Sequence, residues 1–371
     1  MKRFFKFAAI VFAALALLAV GGSYGASYYY TSQYGQGCAS CHEMASYVHL
    51  VHAAPHRTEG CMDCHEASLA TKLRHMRIHI FGPIPEDIRL RDVDLPAMTA
   101  NCKSCHQHEY ANWHAGPHSV TYSQIFADPV HNSKRRLMDD CFRCHGMFFS
   151  GSVRDLVQPL DTKGPWRIIR SSFANQPAIP CMACHQIHRQ GEQETRPISR
   201  ISVAGAAVPD SLAFYDRRET LHFAATSLSI PQLHDGARVV TISQDPRQAL
   251  CYQCHAPREP EAGSMAATNG WGPQVGSGDD RTPMGVHEGL SCISCHDGHN
   301  ENARASCKTC HPQMSHCGID VEKMDTSFAS ATSQHNIHWV KCTDCHLHGI
   351  PKVKALPPVK THLQTTPGMT G

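Results

Sequence analysis

Beyond residue 26 the chain has no second apolar run long enough to span a bilayer as a helix, so nothing suggests a polytopic helical membrane protein. Charge is thin: Asp, Glu, Lys and Arg make up 18% of the residues and the net charge is +2, so there is no basic excess of the kind a nucleic-acid surface needs. Between Lys6 and Glu43 no Asp, Glu, Lys or Arg occurs at all. Unattached cysteine is nearly absent too, because 18 of the 19 cysteines fall in pentapeptides of the form Cys-x-x-Cys-His and only Cys317 stands alone. A single cysteine of this kind is most often a small buried hydrophobe. No Cys-x-x-Cys-Lys variant is present.

The pentapeptide occurs nine times in 371 residues, where chance at this composition gives about 0.07. It is the attachment site of a c-type haem, in which two thiols add to the porphyrin vinyl groups and the adjoining His ligates the iron. The cysteine pairs are Cys38 and Cys41, Cys61 and Cys64, Cys102 and Cys105, Cys141 and Cys144, Cys181 and Cys184, Cys251 and Cys254, Cys292 and Cys295, Cys307 and Cys310, and Cys342 and Cys345. The proximal ligands are then His42, His65, His106, His145, His185, His255, His296, His311 and His346. Zinc ribbons do not need a His after every second Cys, and a thioredoxin-type dithiol needs one copy only, so neither accounts for the repeat.

Lys2, Arg3 and Lys6 precede 20 uncharged residues from Phe7 to Ala26, about 30 Å as a helix and the thickness of a bilayer core. The basic flank predicts an N-terminus left in the cytoplasm, with Tyr28, Tyr29, Tyr30 and Tyr34 as an aromatic belt at the far interface. The competing reading is a signal peptide cut near Ala19 to Gly21, but the apolar stretch outruns the usual h-region. Either way the haem domain lies outside the cytoplasm. The expected location is a bacterial inner membrane with a periplasmic haem domain.

Nine haems carrying ionised propionates would take the net charge to roughly −7 or −16, depending on the iron oxidation state, so the basic side chains read as propionate partners. Macrocycles must supply much of the core, and 26 Gly with 23 Pro predict a loop-rich chain of short helices with little strand. The expected fold class is mainly α and irregular: one transmembrane helix and a cytochrome domain packed around nine covalent haems. Motif spacing divides it into an anchor and interfacial linker (1–37), a five-haem half (38–190), a haem-free linker (191–250), a four-haem half (251–349) and an extended tail (350–371). Within the linker, Ser211 to Ser227 reads as helix and 237–245 as a short strand or hairpin arm. The Gly- and Ser-rich stretch from Ala262 to Gly278 reads as a surface loop.

Besides the motif histidines there are 19 others, more than an ordinary globular chain carries, and most are expected to be distal iron ligands. His56, His131, His287 and His338 sit shortly ahead of a motif, and His188 and His299 follow a motif His by three. His114, His118, His222 and His335 form a second tier. Which His serves which iron is left open by the sequence.

The segment Ser68 to Phe81 puts Leu69, Leu73, Met76 and Ile80 on one helical stripe and Lys72, His75 and His79 on another face, flanked by Arg74 and Arg77. Such a helix suits a membrane interface, and equally a stripe buried on protein or haem.

One apolar helix followed by Gly-Cys-Ala-Ser-Cys-His-Glu-Met (37–44), then Cys-Met-Asp-Cys-His (61–65) after His56, then Asn-Cys-Lys-Ser-Cys-His (101–106), resembles the NapC/NirT/NrfH family over about residues 1–110. The resemblance implies a membrane-anchored quinol dehydrogenase feeding periplasmic partners, with Met44 as a ligand of the first haem. It also implies a Lys and an Asp at the quinol, for which Lys72 and Asp87 are the nearest positions, with His75 beside them. Members usually carry four or five haems, so this chain is longer by four or five. Glu109 to Trp113, leading to His118, looks like the linkers of pentahaem nitrite reductases and cytochrome c554.

The expected function is electron transfer from menaquinol or ubiquinol through a haem chain to a periplasmic or outer-membrane redox protein. Two alternatives stand beside it. One is a reductase of a nitrogen or sulfur oxyanion, which needs a five-coordinate haem and pocket cations such as Arg217, Arg218, Arg281 and Lys308. The other is a relay subunit of a larger quinol-oxidising membrane complex.

Overall fold

The computed structural model describes residues 2–31, 33–40, 42–65, 68–83, 94–188, 208–209, 211–255, 282–299 and 338. The eighth and ninth motifs, Cys41, Asp87, Arg281, Lys308, Cys317, His335, the Gly- and Ser-rich stretch and the tail lie outside these residues. What is described is mainly helical and irregular, with three two-stranded ladders as its only sheet among the described residues.

Helix α1 (Lys2–Thr31) is about 45 Å long. It contains an apolar span, Arg3–Tyr29, long enough to cross a membrane as an anchor or to serve as a signal sequence. Its large side chains, such as Phe12 and Leu17, are exposed along its length, so protein packing does not explain their apolarity. A 3-10 turn (Gln33–Ser40) leads into α2 (His42–His52), α3 (Cys61–Cys64), α4 (Leu69–Phe81), α5 (Leu95–Cys105) and α6 (Gln107–Ala115). Helix α4 matches the helix expected from its periodicity. Leu73, Ile78, Ile80 and Phe81 are exposed on it, and Lys72 Nζ donates to Ser27 Oγ at 3.0 Å, tying α4 to the C-terminal end of α1.

The densest packing follows. Short helices α7 (Tyr122–Phe126), α8 (Pro129–Asn132) and α9 (Val153–Leu156) start on side-chain caps: Thr121 with Gln124, Asp128 with the N–H groups of Val130 and His131, and Ser152 with Asp155. They enclose an aromatic core in which Phe126 and Phe142 are fully buried, with ring centroids 5.3 Å apart, and Phe149 meets Phe173 edge-on at 5.1 Å. The ladder β1 (Val157–Gln158) with β2 (Arg167–Ile168) borders this core.

Residues 211–227 are not the expected helix. They form an antiparallel hairpin, β3 (Ala213–Asp216) with β4 (Leu221–Ala224), followed by a 3-10 turn. The turn chemistry decides this: the Asp216 carboxylate accepts from the Arg218 N–H at 2.9 Å, and the Thr220 N–H reaches the Asp216 carbonyl at 2.7 Å. Phe214 then lies opposite Phe223, and both enter a second core with Met147, Ala183, Leu228 and Ala249. The strand expected within 237–245 is present as β6 (Arg238–Val239), paired with β5 (His234–Asp235). Helix α10 (Pro246–Cys251), capped by Asp245, delivers the sixth motif.

Candidate functional site

The motifs share one local geometry. In the six whose first Cys, second Cys and His are all described, the His N–H donates to the carbonyl of the first Cys at 2.8 to 3.0 Å, closing a single helical turn. One turn places the two thiols, three residues apart, on the same side, with the His directly after them. Some motifs end an α-helix, as Cys102 and Cys105 do on α5, and others sit on a bare 3-10 turn, as Cys181 and Cys292 do.

Five motif imidazoles face a second imidazole across a nearly constant gap. The ring centroids of His65 and His188 are 5.9 Å apart, of His106 and His56 6.0 Å, and of His185 and His299 6.1 Å. His255 and His118 are 6.2 Å apart, and His296 and His338 6.0 Å. Two imidazoles on opposite sides of one metal, each bound through nitrogen at ~2 Å, have centroids about 6 Å apart. Direct ring stacking would bring them closer, and the planes here run from parallel, 3° for His296 and His338, to near-perpendicular, 77° for His106 and His56. The constant is the gap, not the ring angle. Every facing residue comes from beside a different motif: His188 follows the fifth but faces the second, and His299 follows the seventh but faces the fifth.

The sixth motif His with described surroundings, His145, has no imidazole at that spacing among the described residues. His131 lies near enough for its charge to be felt at His145, but it is exposed and its Nδ1 is 3.4 Å from Asn132 Oδ1. The other expected distal residues are placed elsewhere. His222 has its Nε2 2.9 Å from the Met182 carbonyl, and His114 stacks on Tyr110 at 5.8 Å. His287 ends the 3-10 turn Gly285–His287, and Met44 lies half-buried on α2. Of the expected pocket cations, the two among the described residues are engaged within the protein. Arg217 donates to the Phe149 and Gly151 carbonyls and lies over the Phe142 ring, and Arg218 pairs with Asp216.

Burial favours the neutral form in some of these imidazoles. It lowers the pKa of His65, His118 and His188, and drives His145 and His185 down to about 4, with neighbouring imidazoles adding to the effect. A neutral imidazole is the form that ligates metal. The Nδ1 atoms of His56, His145 and His188 are buried without a hydrogen-bond partner. A buried polar atom left so costs about 1–3 kcal/mol, so these rings gain from a partner that the protein itself does not supply. Among the described residues no three His, Cys, Asp or Glu side chains converge as a closed zinc site requires. Paired thiols, facing imidazoles and orphaned ring nitrogens are together a donor set that fits haem c.

Several contacts at the site had no sequence signal. Tyr47 meets His188 edge-on at 5.8 Å, Asn101 Nδ2 donates to the Cys64 carbonyl at 2.6 Å, and buried Gln248 accepts from the Cys292 N–H at 3.2 Å. Polar residues in such roles carry no periodicity or motif.

A family model described as cytochrome c554 and c-prime matches residues 101–159, the stretch holding the third and fourth motifs. No curated protein and no solved structure gives a significant match. Residues 101–159 are thus similar to a cytochrome of c type, a covalent-haem electron carrier.

Proposed function

We propose that the chain is a nine-haem c-type cytochrome, held by α1 at the inner membrane of a bacterium, that takes electrons from menaquinol or ubiquinol and delivers them to a periplasmic or outer-membrane redox protein. The observation that carries the electron-transfer reading is the set of five facing imidazole pairs at a ligand's spacing. On this reading each Cys pair would hold a haem through two thioethers, and His65, His106, His185, His255 and His296, with His188, His56, His299, His118 and His338 facing them, would supply the nitrogen ligands. A haem held between two histidines would supply one-electron ferric/ferrous chemistry and leave no place for a substrate. The motifs outside the described residues take their haems by the same pentapeptide, and Met44 is assigned to the first.

The quinol end is supported by α4. Its exposed Leu73 and Ile80 share one stripe that begins where α1 ends, at the Lys72 to Ser27 hydrogen bond, so this stripe suits an acyl boundary and the neighbouring Arg77 and Arg74 suit headgroups. Lys72, His75 and Asp87 are the side chains assigned to the quinol. Two protons leave it with two electrons, and an acidic or imidazole side chain accepts them.

The test is anaerobic reduction by a menaquinol analogue of the full-length holoprotein in liposomes, beside a soluble form starting at Tyr28. Rapid reduction confined to the full-length protein is expected. If dithionite reduces both forms and quinol neither, the quinol reading fails.

A second reading, reduction of a nitrogen or sulfur oxyanion, has one observation in its favour: His145 lacks a facing imidazole among the described residues. It requires a high-spin ferric signal that shifts when nitrite or hydroxylamine is added.

A further inference from the structure

The fifth motif makes contacts that the order of the sequence does not explain. Order alone gives it the fourth and sixth as neighbours, and both are there: the Gly146 N–H donates to the Ala178 carbonyl at 2.7 Å, and Met147, Ala183 and Cys184 share a buried cluster with Cys254. Two further motifs reach it through imidazoles. His188, three residues after His185, faces His65 of the second motif at 5.9 Å, and His299, three residues after His296 of the seventh, faces His185 at 6.1 Å. Each pair joins residues more than a hundred positions apart. A His three residues beyond the motif His, Cys-x-x-Cys-His-x-x-His, occurs in two of the nine motifs, and these are the two. The protein holds both segments in place. The fifth is clamped to the hairpin: the Gln186 N–H donates to the Ser211 carbonyl at 2.8 Å, the Ala213 N–H to the Cys184 carbonyl at 2.9 Å, and His185 bridges to Leu212. In the seventh, the Asp297 carboxylate accepts the His299 N–H at 3.0 Å and lies 3.5 Å from its Nδ1, which leaves Nε2 for a metal.

We propose that the fifth attachment site is the hub of the cofactor array, and that the segments Cys181–His188 and Cys292–His299 each serve two haems. Cys181–His188 would hold its own haem through Cys181, Cys184 and His185 and ligate the second through His188. Cys292–His299 would hold the seventh through Cys292, Cys295 and His296 and ligate the fifth through His299. The second, fifth and seventh sites then lie on one line, and each link in it is a single eight-residue segment. An electron at the second site reaches the seventh by way of the fifth, without visiting the third, fourth or sixth. This inference rests on haem attachment at the motifs, and not on quinol as donor.

The test makes one iron at a time visible by electron paramagnetic resonance of the full-length holoprotein. His188→Ala opens one axial position, so it should add one high-spin ferric signal, which added imidazole returns to low spin. A nearby paramagnetic iron broadens such a signal, and removing that neighbour sharpens it. The His188→Ala signal should vanish when the second attachment site is removed (Cys61→Ala with Cys64→Ala) and sharpen when the fifth is removed (Cys181→Ala with Cys184→Ala). The His299→Ala signal should vanish with the fifth site, and sharpen with loss of the second or of the seventh (Cys292→Ala with Cys295→Ala). The hub is wrong if either His variant adds no signal, if the His188→Ala signal vanishes with the fifth site, or if either signal is unchanged when a named neighbour is removed. Should the removals fail to fold, an experimental map of the unaltered holoprotein reads the same point. It must show His188 on the second iron and His299 on the fifth, and any other ligation overturns the proposal. A mature protein whose mass shows no covalent haem overturns the haem reading beneath it, a result distinct from any of these signals.

Discussion

The stretch before Cys105 and the stretch from Trp113 to Cys254 both carry haem-attachment motifs, yet they hold themselves together by different means. Among the described residues, the buried hydrophobic side chains of the first are Ala54 and Leu95 alone. The second has two continuous cores, one of interlocked aromatic rings around Phe126 and Phe142 and one joining Met147 to the hairpin. A polypeptide with almost no apolar core cannot offset the conformational entropy of its own ordering, about 1–2 kcal/mol per residue in the backbone alone. On the proposed reading the first stretch is ordered by what it would hold and lie on: haem macrocycles, iron ligation that includes His188, and the membrane. The second brings a scaffold of its own.

The largest effect expected from this difference is on protein made without haem attachment, for example in a host lacking cytochrome c maturation. Limited proteolysis should cut it throughout residues 42–105 while a fragment spanning about 120–180 survives. If both stretches are digested at one rate, the aromatic core is not an independent scaffold and the comparison collapses.

Next comes a substitution that attacks the core directly. Phe126 has no exposure and packs against Tyr122 and Phe142, so Phe126→Ala should cost about 3–5 kcal/mol. The control in the first stretch is Leu73→Ala, an exposed position on α4, which should lie within about 0.5 kcal/mol of the parent in detergent-free buffer. Thermal unfolding of the holoprotein measures both.

The same contrast explains what the sequence could and could not disclose. Haem attachment is written in contiguous residues because thioether chemistry needs two thiols one helical turn apart and a His directly after them. The helix at Leu69–Phe81 and the strand at Arg238–Val239 were legible from local patterns for similar reasons. The hairpin at 213–224 was not, since its apolar spacing also fits a helix and the deciding feature is the carboxylate of Asp216 folding the turn onto itself. The imidazole partners were all among the candidates, but the pairing was hidden. His188 and His65, or His118 and His255, are distant in sequence and meet only after the interlock of motifs is complete. A surplus of histidine reveals a need for ligands and says nothing of who faces whom.

A smaller effect is expected at the contact that ties the core-poor stretch to the apolar helix α1. Lys72→Ala removes the hydrogen bond to Ser27, worth about 1 kcal/mol, so quinol-driven reduction in liposomes should slow roughly fivefold. Reduction by dithionite should not change. Ser27→Ala should reproduce the result if the tether, rather than the lysine charge at the quinol, sets the rate. A loss seen with Lys72→Ala and not with Ser27→Ala would move Lys72 from tether to quinol partner.

The smallest effect is on acid stability, and it separates the two stretches by what lies beneath similar caps. Asp155 accepts from the Ser152 hydroxyl at 2.6 Å and the Ser152 N–H at 2.8 Å, and these bonds, the hydroxyl first, hold its carboxyl below the usual carboxylate range. A depressed carboxylate pKa means the folded state binds its proton later than the unfolded state. The stabilisation is thus full above the unfolded value, about 4, and is lost as pH falls through the folded value. Helix α9 carries Val153 and Leu156 into the aromatic core, so losing this cap loosens packed side chains as well as one helix end. Asp155→Asn should therefore flatten the acid limb of the holoprotein's thermal stability. In the first stretch Asp63 caps α3 by accepting the Gly60 N–H at 2.8 Å, and no residue of α3 is buried. Asp63→Asn should leave the acid limb of global unfolding in place, because there the cap closes a turn that haem, and not a protein core, holds in position.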